Sequence, residues 1–311
     1  MSENVVKNPS RVKKILSILG IVIVVLALGV SGFVYSQVRA FDDAMAKVYD
    51  VPVPAIARSS DPAVIARGKH LVDGLAGCSS SSCHGADLSA GRTLDMGPLG
   101  KMSAPNITPG GIAPAYTDGE LARLIQHGLK KDGRSVLFMP SQHFGWLPEK
   151  DVQAIVSYVR SVPAVDKPNG PMQPGVMLKV LDRQGAFEGE VASHIDHTKL
   201  PQVPDPAPTA EYGRYILKMC AGCHGSTFAG GKIPGAPPSM PIPLNLTPHE
   251  TGLKGWTYAD FEKTLREGLR KNGKTLDPFM PVEAWKNLDD IEMRALWAAV
   301  QELPAKPFGE R

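Results

Sequence analysis

Cys220-Ala221-Gly222-Cys223-His224 places two thiols about one helical turn apart, with an imidazole directly after the second. Thiols so spaced can add across two vinyl groups on one edge of a porphyrin, and the next residue is then held beneath the iron. This C-x-x-C-H order is the signature of c-type haem attachment. A disulfide or a zinc site is the competing reading of a thiol pair, and the adjoining histidine weighs against both. The chain has four cysteines, and the other two, Cys78 and Cys83, are likewise followed at once by a histidine, His84. Four serines separate that pair, and taken alone this C-x4-C-H spacing suits a small loop closed by a disulfide equally well.

The surrounding sequence decides between those readings, because the chain repeats itself. Cys83-His84-Gly85 answers Cys223-His224-Gly225 at an offset of 140, and Asn106-Ile107-Thr108-Pro109 answers Asn245-Leu246-Thr247-Pro248 at 139. Phe138-Met139-Pro140 answers Phe279-Met280-Pro281, and Ser161-Val162-Pro163 answers Glu302-Leu303-Pro304, both at 141. Ala66-Arg67-Gly68-Lys69-His70 stands opposite Glu211-Tyr212-Gly213-Arg214-Tyr215 ahead of the cysteines. Offsets this steady indicate two copies of one domain, not a solenoid with a period of about 20–50 residues. The longer serine spacer therefore sits in an otherwise equivalent copy, and is pliable enough for both sulfurs to reach the vinyl groups. Two covalently bound haem c groups are expected, held by Cys78, Cys83, Cys220 and Cys223.

His84 and His224 become the proximal iron ligands, and a second ligand must come from downstream. Met139 and Met280 lie 55 and 56 residues after their histidines, each followed by proline. A lone methionine is more often core filler, but two at matched repeat positions point to ligation. Met293 stands opposite Val152 and suits helix packing. His143 aligns with Ala284 and His127 with Glu267, so neither is repeated, and each reads as an ordinary surface or supporting histidine. A thioether ligand raises the potential, and two protein ligands leave no position for substrate, so electron transfer is the natural consequence.

The local patterns are helical. Thr117 and Glu120 form a capping box before a helix, and Thr257 with Asp260 gives a weaker version. Val152, Ile155, Val156 and Val159 make one apolar stripe, ended by Pro163. No stretch alternates convincingly with period two, so the fold class expected is all-α.

Residues 15–35 form an almost unbroken apolar run. As a helix these 21 residues rise to ~31 Å, enough to cross a bilayer core of about 30 Å. Lys7, Arg11, Lys13 and Lys14 precede it, which leaves the N-terminus cytoplasmic and the remainder periplasmic, at a bacterial inner membrane. A removed signal peptide would carry a shorter apolar region, although Val38-Arg39-Ala40 offers a weak cleavage pattern. A retained single-pass anchor is the preferred reading. The organisation expected is therefore 1–40 cytoplasmic N-terminus and anchor, 41–165 first domain, 166–207 Pro-rich connector and 208–311 second domain. Pro-rich stretches in 166–207 read as a semi-rigid extended spacer.

The net charge of +3 is small, and no Lys/Arg block interleaves with aromatics, so nucleic-acid binding has no support. With 31 Gly and 28 Pro in 311 residues, the chain stays below a disordered composition, and long irregular connections are expected instead.

Cys-x-x-Cys-His followed by Asn-x-Thr-Pro, Phe-Met-Pro and a terminal helix resembles the class I c-type cytochrome domain. The phrases Ala104-Pro105-Asn106-Ile107-Thr108-Pro109 and Asp132-Gly133-Arg134-Ser135-Val136-Leu137-Phe138-Met139-Pro140, with Gly68 and Gly213, resemble the cytochrome c subunits of membrane-bound alcohol and gluconate dehydrogenases. That resemblance covers about residues 62–163 and 209–304. It implies two tandem class I cytochrome c domains behind the N-terminal transmembrane helix. It also implies a non-enzymatic subunit that passes electrons between a redox partner, a dehydrogenase or a respiratory or photosynthetic membrane complex, and a downstream acceptor. The chain departs from those subunits in carrying two haem motifs where they usually carry three, in its N-terminal anchor and in the C-x4-C-H spacing. The rival function is a di-haem enzyme, such as a cytochrome c peroxidase or thiosulfate dehydrogenase, with one substrate-accessible haem.

Overall fold

The computed structural model describes residues 9–81, 83–145, 147–198, 204–234, 236 and 240–311. Lys7, Ser82 and residues 201–203 of the Pro-rich connector lie outside the described residues.

Ten helices carry most of the regular structure among the described residues: α1 Pro9–Ala46, α2 Pro62–Asp73, α3 Asp118–His127, α4 Glu149–Ser161, α5 Val176–Arg183, α6 Ala210–Leu217, α7 Ala221–His224, α8 Tyr258–Glu267, α9 Val282–Trp285 and α10 Asp290–Gln301. Local chemistry starts and stops them. Asp61 caps α2 through Ala63 N–H, and Pro62 sits in the first turn, where its missing N–H costs nothing. Thr117–Glu120 and Thr257–Asp260 both close complete capping boxes, so the shorter aspartate arm still reaches. Gly128 and Gly268 then end α3 and α8 in the left-handed conformation, with φ of 63° and 69°.

The two halves use the same packing unit. In the first, α2 crosses α4; in the second, α6 crosses α10. The crossings are so close that only glycine fits: a Cβ on Gly68 would lie 1.9 Å from the Ala154 carbonyl oxygen, and one on Gly213 would lie 1.8 Å from that of Ala295. One buried apolar cluster runs through both crossings, from Leu71, Val72, Ile155 and Val156 to Ile216, Met293, Leu296 and Val300. Met293 is fully buried there, in keeping with a packing role.

Two features depart from the sequence expectations. The fold is helix-rich but not purely helical: β1 Leu94–Asp95, β2 Gly100–Met102 and β3 Met172–Pro174 form an antiparallel sheet in that order, pairing Leu94 with Met102 and Lys101 with Gln173. Strands of two and three residues are too short to show a period-two pattern, and β3 comes from some 70 residues downstream of β2. The segment 166–207 is also more than an extended spacer. It contributes β3 and α5, and its backbone is tied to the first half. Ser135 Oγ accepts from the Val191 and Ala192 N–H groups, while within the segment Asp182 Oδ2 accepts from those of Gly189 and Glu190.

Helix α1 continues through residues 36–46, beyond the apolar run. This extension is clamped: Phe41 is 1% exposed among Leu99, Met102 and Leu178, Lys179 Nζ pairs with Asp42 at 2.7 Å, and Gln184 Nε2 donates to Gln37 Oε1 at 2.9 Å. The apolar part is exposed along its length, as a helix built for a bilayer would be.

Candidate functional site

The second half gathers its chemistry around one cavity of about 330 Å³. Cys223 and His224 on α7 reach one part of its wall; Leu244 and Leu246 come from the Asn245 loop, Phe261 and Leu265 from α8, and Met280 from the turn before α9. The lining is mainly apolar, as a planar macrocycle requires, and the volume falls in the range of about 300–1,000 Å³ usual for ligand sites. His224 is 6% exposed, and its Nδ1–H donates to the Leu244 carbonyl oxygen at 2.6 Å. That bond fixes the tautomer and leaves Nε2 free to bind iron, the arrangement metal-ligating histidines adopt. Burial holds the imidazole below its ordinary pKa, against the opposing Leu244 bond, so it is neutral and able to ligate.

The carbonyl that holds His224 is itself held. Asn245 Oδ1 accepts from the Thr247 N–H and hydroxyl, and Asn245 Nδ2 donates to the Lys306 carbonyl oxygen at 2.7 Å. The Asn-x-Thr-Pro motif thus ties the histidine's carbonyl partner to the chain after α10. Gly225, at φ 82°, and Gly230, at φ 68°, let the chain turn away after the histidine.

The first half repeats these parts. His84 is 9% exposed, and its Nδ1–H donates to the Pro105 carbonyl oxygen at 2.8 Å. Burial lowers its pKa as well. Asn106 Oδ1 accepts from the Thr108 N–H and hydroxyl, and its Nδ2 donates to the Val165 carbonyl oxygen at 2.8 Å. Leu88 and Phe228 occupy equivalent left-handed positions, φ 59° and 62°. Equal positive φ at equal repeat positions shows that the chain leaves the two histidines along the same path. Cys78 is half-buried as a residue, yet burial of its thiol, reinforced by Cys83, pushes its pKa up to about 12; burial does the same to Cys220. No disulfide joins any of the four cysteines.

The methionines differ in their surroundings. Both are half-buried against the core. The Met139 turn is covered by the connector: Phe138 N–H donates to the Gly189 carbonyl oxygen at 2.9 Å, its ring stacks on Phe187 at 5.4 Å, and Leu137 bridges Glu190. The Met280 turn has no such cover among the described residues, and Phe279, Ile242 and Leu244 beside it are exposed. His127 meets His197 of the connector, Nδ1 to Nδ1, at 3.1 Å. His143 lies half-buried against Gly222 of the other half. Neither histidine is repeated in sequence, so the repeat comparison carries no signal for either contact.

With two buried, pre-oriented imidazoles, thiols on the adjoining loops and an apolar cavity containing a downstream methionine, the residues fit a covalently bound haem. A haem held there would supply one-electron redox chemistry; the protein supplies ligands, burial and orientation.

No family model matches the chain. It is similar over 129 residues to the cytochrome c subunit of a quinone-dependent alcohol dehydrogenase from Gluconacetobacter polyoxogenes, with 33% identity, covering 39% of this chain and 26% of that protein. It is 38% identical over 93 residues to the gluconate 2-dehydrogenase cytochrome c subunit of Pantoea cypripedii, covering 28% of this chain and 21% of the relative. A third similarity, 35% over 112 residues, is to the fructose dehydrogenase cytochrome subunit of Gluconobacter japonicus, covering 32% of this chain and 23% of the relative. The chain thus matches about a quarter of the length of each of these relatives. The likeness to cytochrome subunits of alcohol, gluconate and fructose dehydrogenases agrees with the family resemblance of the motifs.

Proposed function

We propose that this chain is a membrane-anchored di-haem cytochrome c that relays electrons from a dehydrogenase partner to a downstream acceptor, without transforming a substrate itself. The observation that carries the reading is the duplicated histidine geometry: His84 and His224 are both buried, and both donate Nδ1–H to a carbonyl oxygen that an Asn-x-Thr motif orients. In this reading Cys78, Cys83, Cys220 and Cys223 carry the two haems, His84 and His224 are proximal ligands, and Met139 and Met280 are distal ones. Residues 41–165 and 208–311 then form two class I domains joined by 166–207.

A relay in place of an active site is supported by the chemistry of the ligand pair, since histidine and methionine together leave iron no open position. The dehydrogenase partner is supported by the similarity to cytochrome subunits of such complexes. A retained anchor is supported by the continuity of α1, and a cytoplasmic N-terminus with periplasmic haem domains by the basic residues that precede the apolar run. Val38, Arg39 and Ala40 lie inside that helix, and Phe41 directly after them is buried in the body.

The test is a redox titration of detergent-extracted protein, with haem quantified per chain and low-temperature magnetic resonance of the oxidised state. Two covalent, low-spin haems with histidine–methionine spectra support the relay. One high-spin haem, together with turnover of peroxide or thiosulfate, would establish the enzymatic alternative instead.

A further inference from the structure

His143 stands four residues after Met139, on the short turn Ser141–His143, and its ring reaches the other half. Its ring lies over Gly222, between the two thiols of Cys220-Ala221-Gly222-Cys223-His224. A Cβ built on Gly222 would meet His143 Nε2 at 3.0 Å and Cε1 at 3.5 Å. The reciprocal contact exists in the other half. Ala284, the repeat equivalent of His143, sits on α9 four residues after Met280, and its Cβ would lie 3.6 Å from a Cβ on Gly77, directly before Cys78. Asn287, just beyond, donates Nδ2–H to the Asp73 carbonyl oxygen at 2.9 Å.

A polar junction also joins the halves, with both carboxylates buried and both cations partly exposed. Arg67 of α2 reaches Asp151 of α4 at 3.1 Å and Glu292 of α10 at 3.3 Å, His70 reaches Glu292 at 2.7 Å, and Tyr215 of α6 reaches Asp151 at 3.4 Å. Asp151 and Glu292 are themselves repeat equivalents, 141 residues apart. The halves are thus docked about an approximate two-fold relation in which each post-methionine turn rests on the other half's cysteine loop.

We infer that His143 is a positioning residue that seats the first half's methionine turn on the second half's attachment loop, so that the two redox sites are coupled within one chain. The inference rests on the di-haem reading above. Haems held by the two cysteine–histidine loops would supply one-electron chemistry, and electron exchange between them would require no bond or proton to move. Gly222 leaves room for the flat imidazole, which would have to give by a few tenths of an ångström if a methyl stood there. The chain meets the same need in the opposite half with Ala284, whose single methyl fits beside Gly77.

The test is a mutant cycle in the full-length chain: Gly222→Ala, His143→Ala and the double variant, each with haem counted. Neither x position of the C-x-x-C-H motif supplies a ligand, so haem attachment is retained. The added methyl in Gly222→Ala should lower Tm by about 2–4 °C and shift the second site's midpoint potential. Removing the ring in the double variant should recover more than half of both changes. Strictly additive changes in Tm and potential would overturn the seating role. Fewer than two covalent haems in the unaltered chain would overturn the di-haem reading instead, while the Tm cycle would still report on the contact.

Discussion

Replacing Gly68 by alanine tests the helix crossing that underlies each half. Helix propensity alone gives one sign: alanine in a helix interior is favoured over glycine by about 0.8–1.0 kcal/mol. The structure gives the other. The new methyl would stand 1.9 Å from the Ala154 carbonyl oxygen, 2.6 Å from its carbon and 2.8 Å from Tyr158 Cβ. Carbon–oxygen contacts settle near ~3.3 Å or more, so α2 and α4 must separate by more than about 1 Å. Neither can yield by changing a rotamer, because the obstacle is backbone. The separation would loosen Leu71, Val72, Ile155 and Val156, all 3% exposed or less. Overpacking of this kind costs about 1–3 kcal/mol, here at the upper end. Net of propensity, Gly68→Ala should destabilise by roughly 2 kcal/mol. That corresponds to a Tm lower by about 4–8 °C in thermal unfolding followed by circular dichroism. Gly213→Ala should behave alike, since its methyl would meet the Ala295 oxygen at 1.8 Å. An unchanged or raised Tm in Gly68→Ala would refute the close-crossing argument.

Three further outcomes are expected. The junction between the halves should be pH-sensitive on both sides. The hydrogen bond to Glu292 raises the His70 pKa against burial, so its contribution is present below about 6.5 and lost as pH rises through the raised value. Burial pushes the Glu292 carboxyl up, but the His70 hydrogen bond and charge, with Arg67, bring it below its ordinary value; its contribution is present above about 4.5 and lost as pH falls further. Tm should therefore be greatest between these limits, and His70→Gln should flatten the alkaline decline and weaken the acid one as well, because His70 is the main group holding Glu292 low; an unaltered alkaline decline would count against the pairing. Met280→Ala should open the second iron and lower its potential while the haem stays covalently attached, and an unchanged spectrum and potential would show that Met280 is no ligand. Phe41→Ala should cost about 3–5 kcal/mol of local stability, read as faster hydrogen exchange in residues 36–46 and α5 with little change around α10.

Much of this protein is legible along the chain. The cysteine–histidine spacing, the Asn-x-Thr-Pro and Phe-Met-Pro repeats and the 21-residue apolar run are local patterns, and local patterns survive without coordinates. Capping boxes at Thr117 and Thr257 and the stripe on α4 are readable because helices encode their ends and buried faces within a few residues. The roles of Gly68 and Gly213 are only half visible: their repetition is in the sequence, but the carbonyl each must admit belongs to a helix more than 80 residues away.

What tertiary structure alone decides are contacts between elements that share no sequence signal. The three-stranded sheet joins residues 94–102 to residues 172–174, and strands so short bury too little to leave a pattern. The connector's hold on the Met139 turn depends on backbone hydrogen bonds, which any residue but proline can donate. His143 reads as an ordinary histidine in sequence because alanine stands at its repeat position, yet the two positions do equivalent work with different side chains. A repeat comparison finds what two copies share. Docking the copies on each other requires that they differ wherever His143 and Ala284, or Arg67 and Tyr212, meet unlike neighbours across an approximate axis, and that asymmetry exists only once the chain has folded.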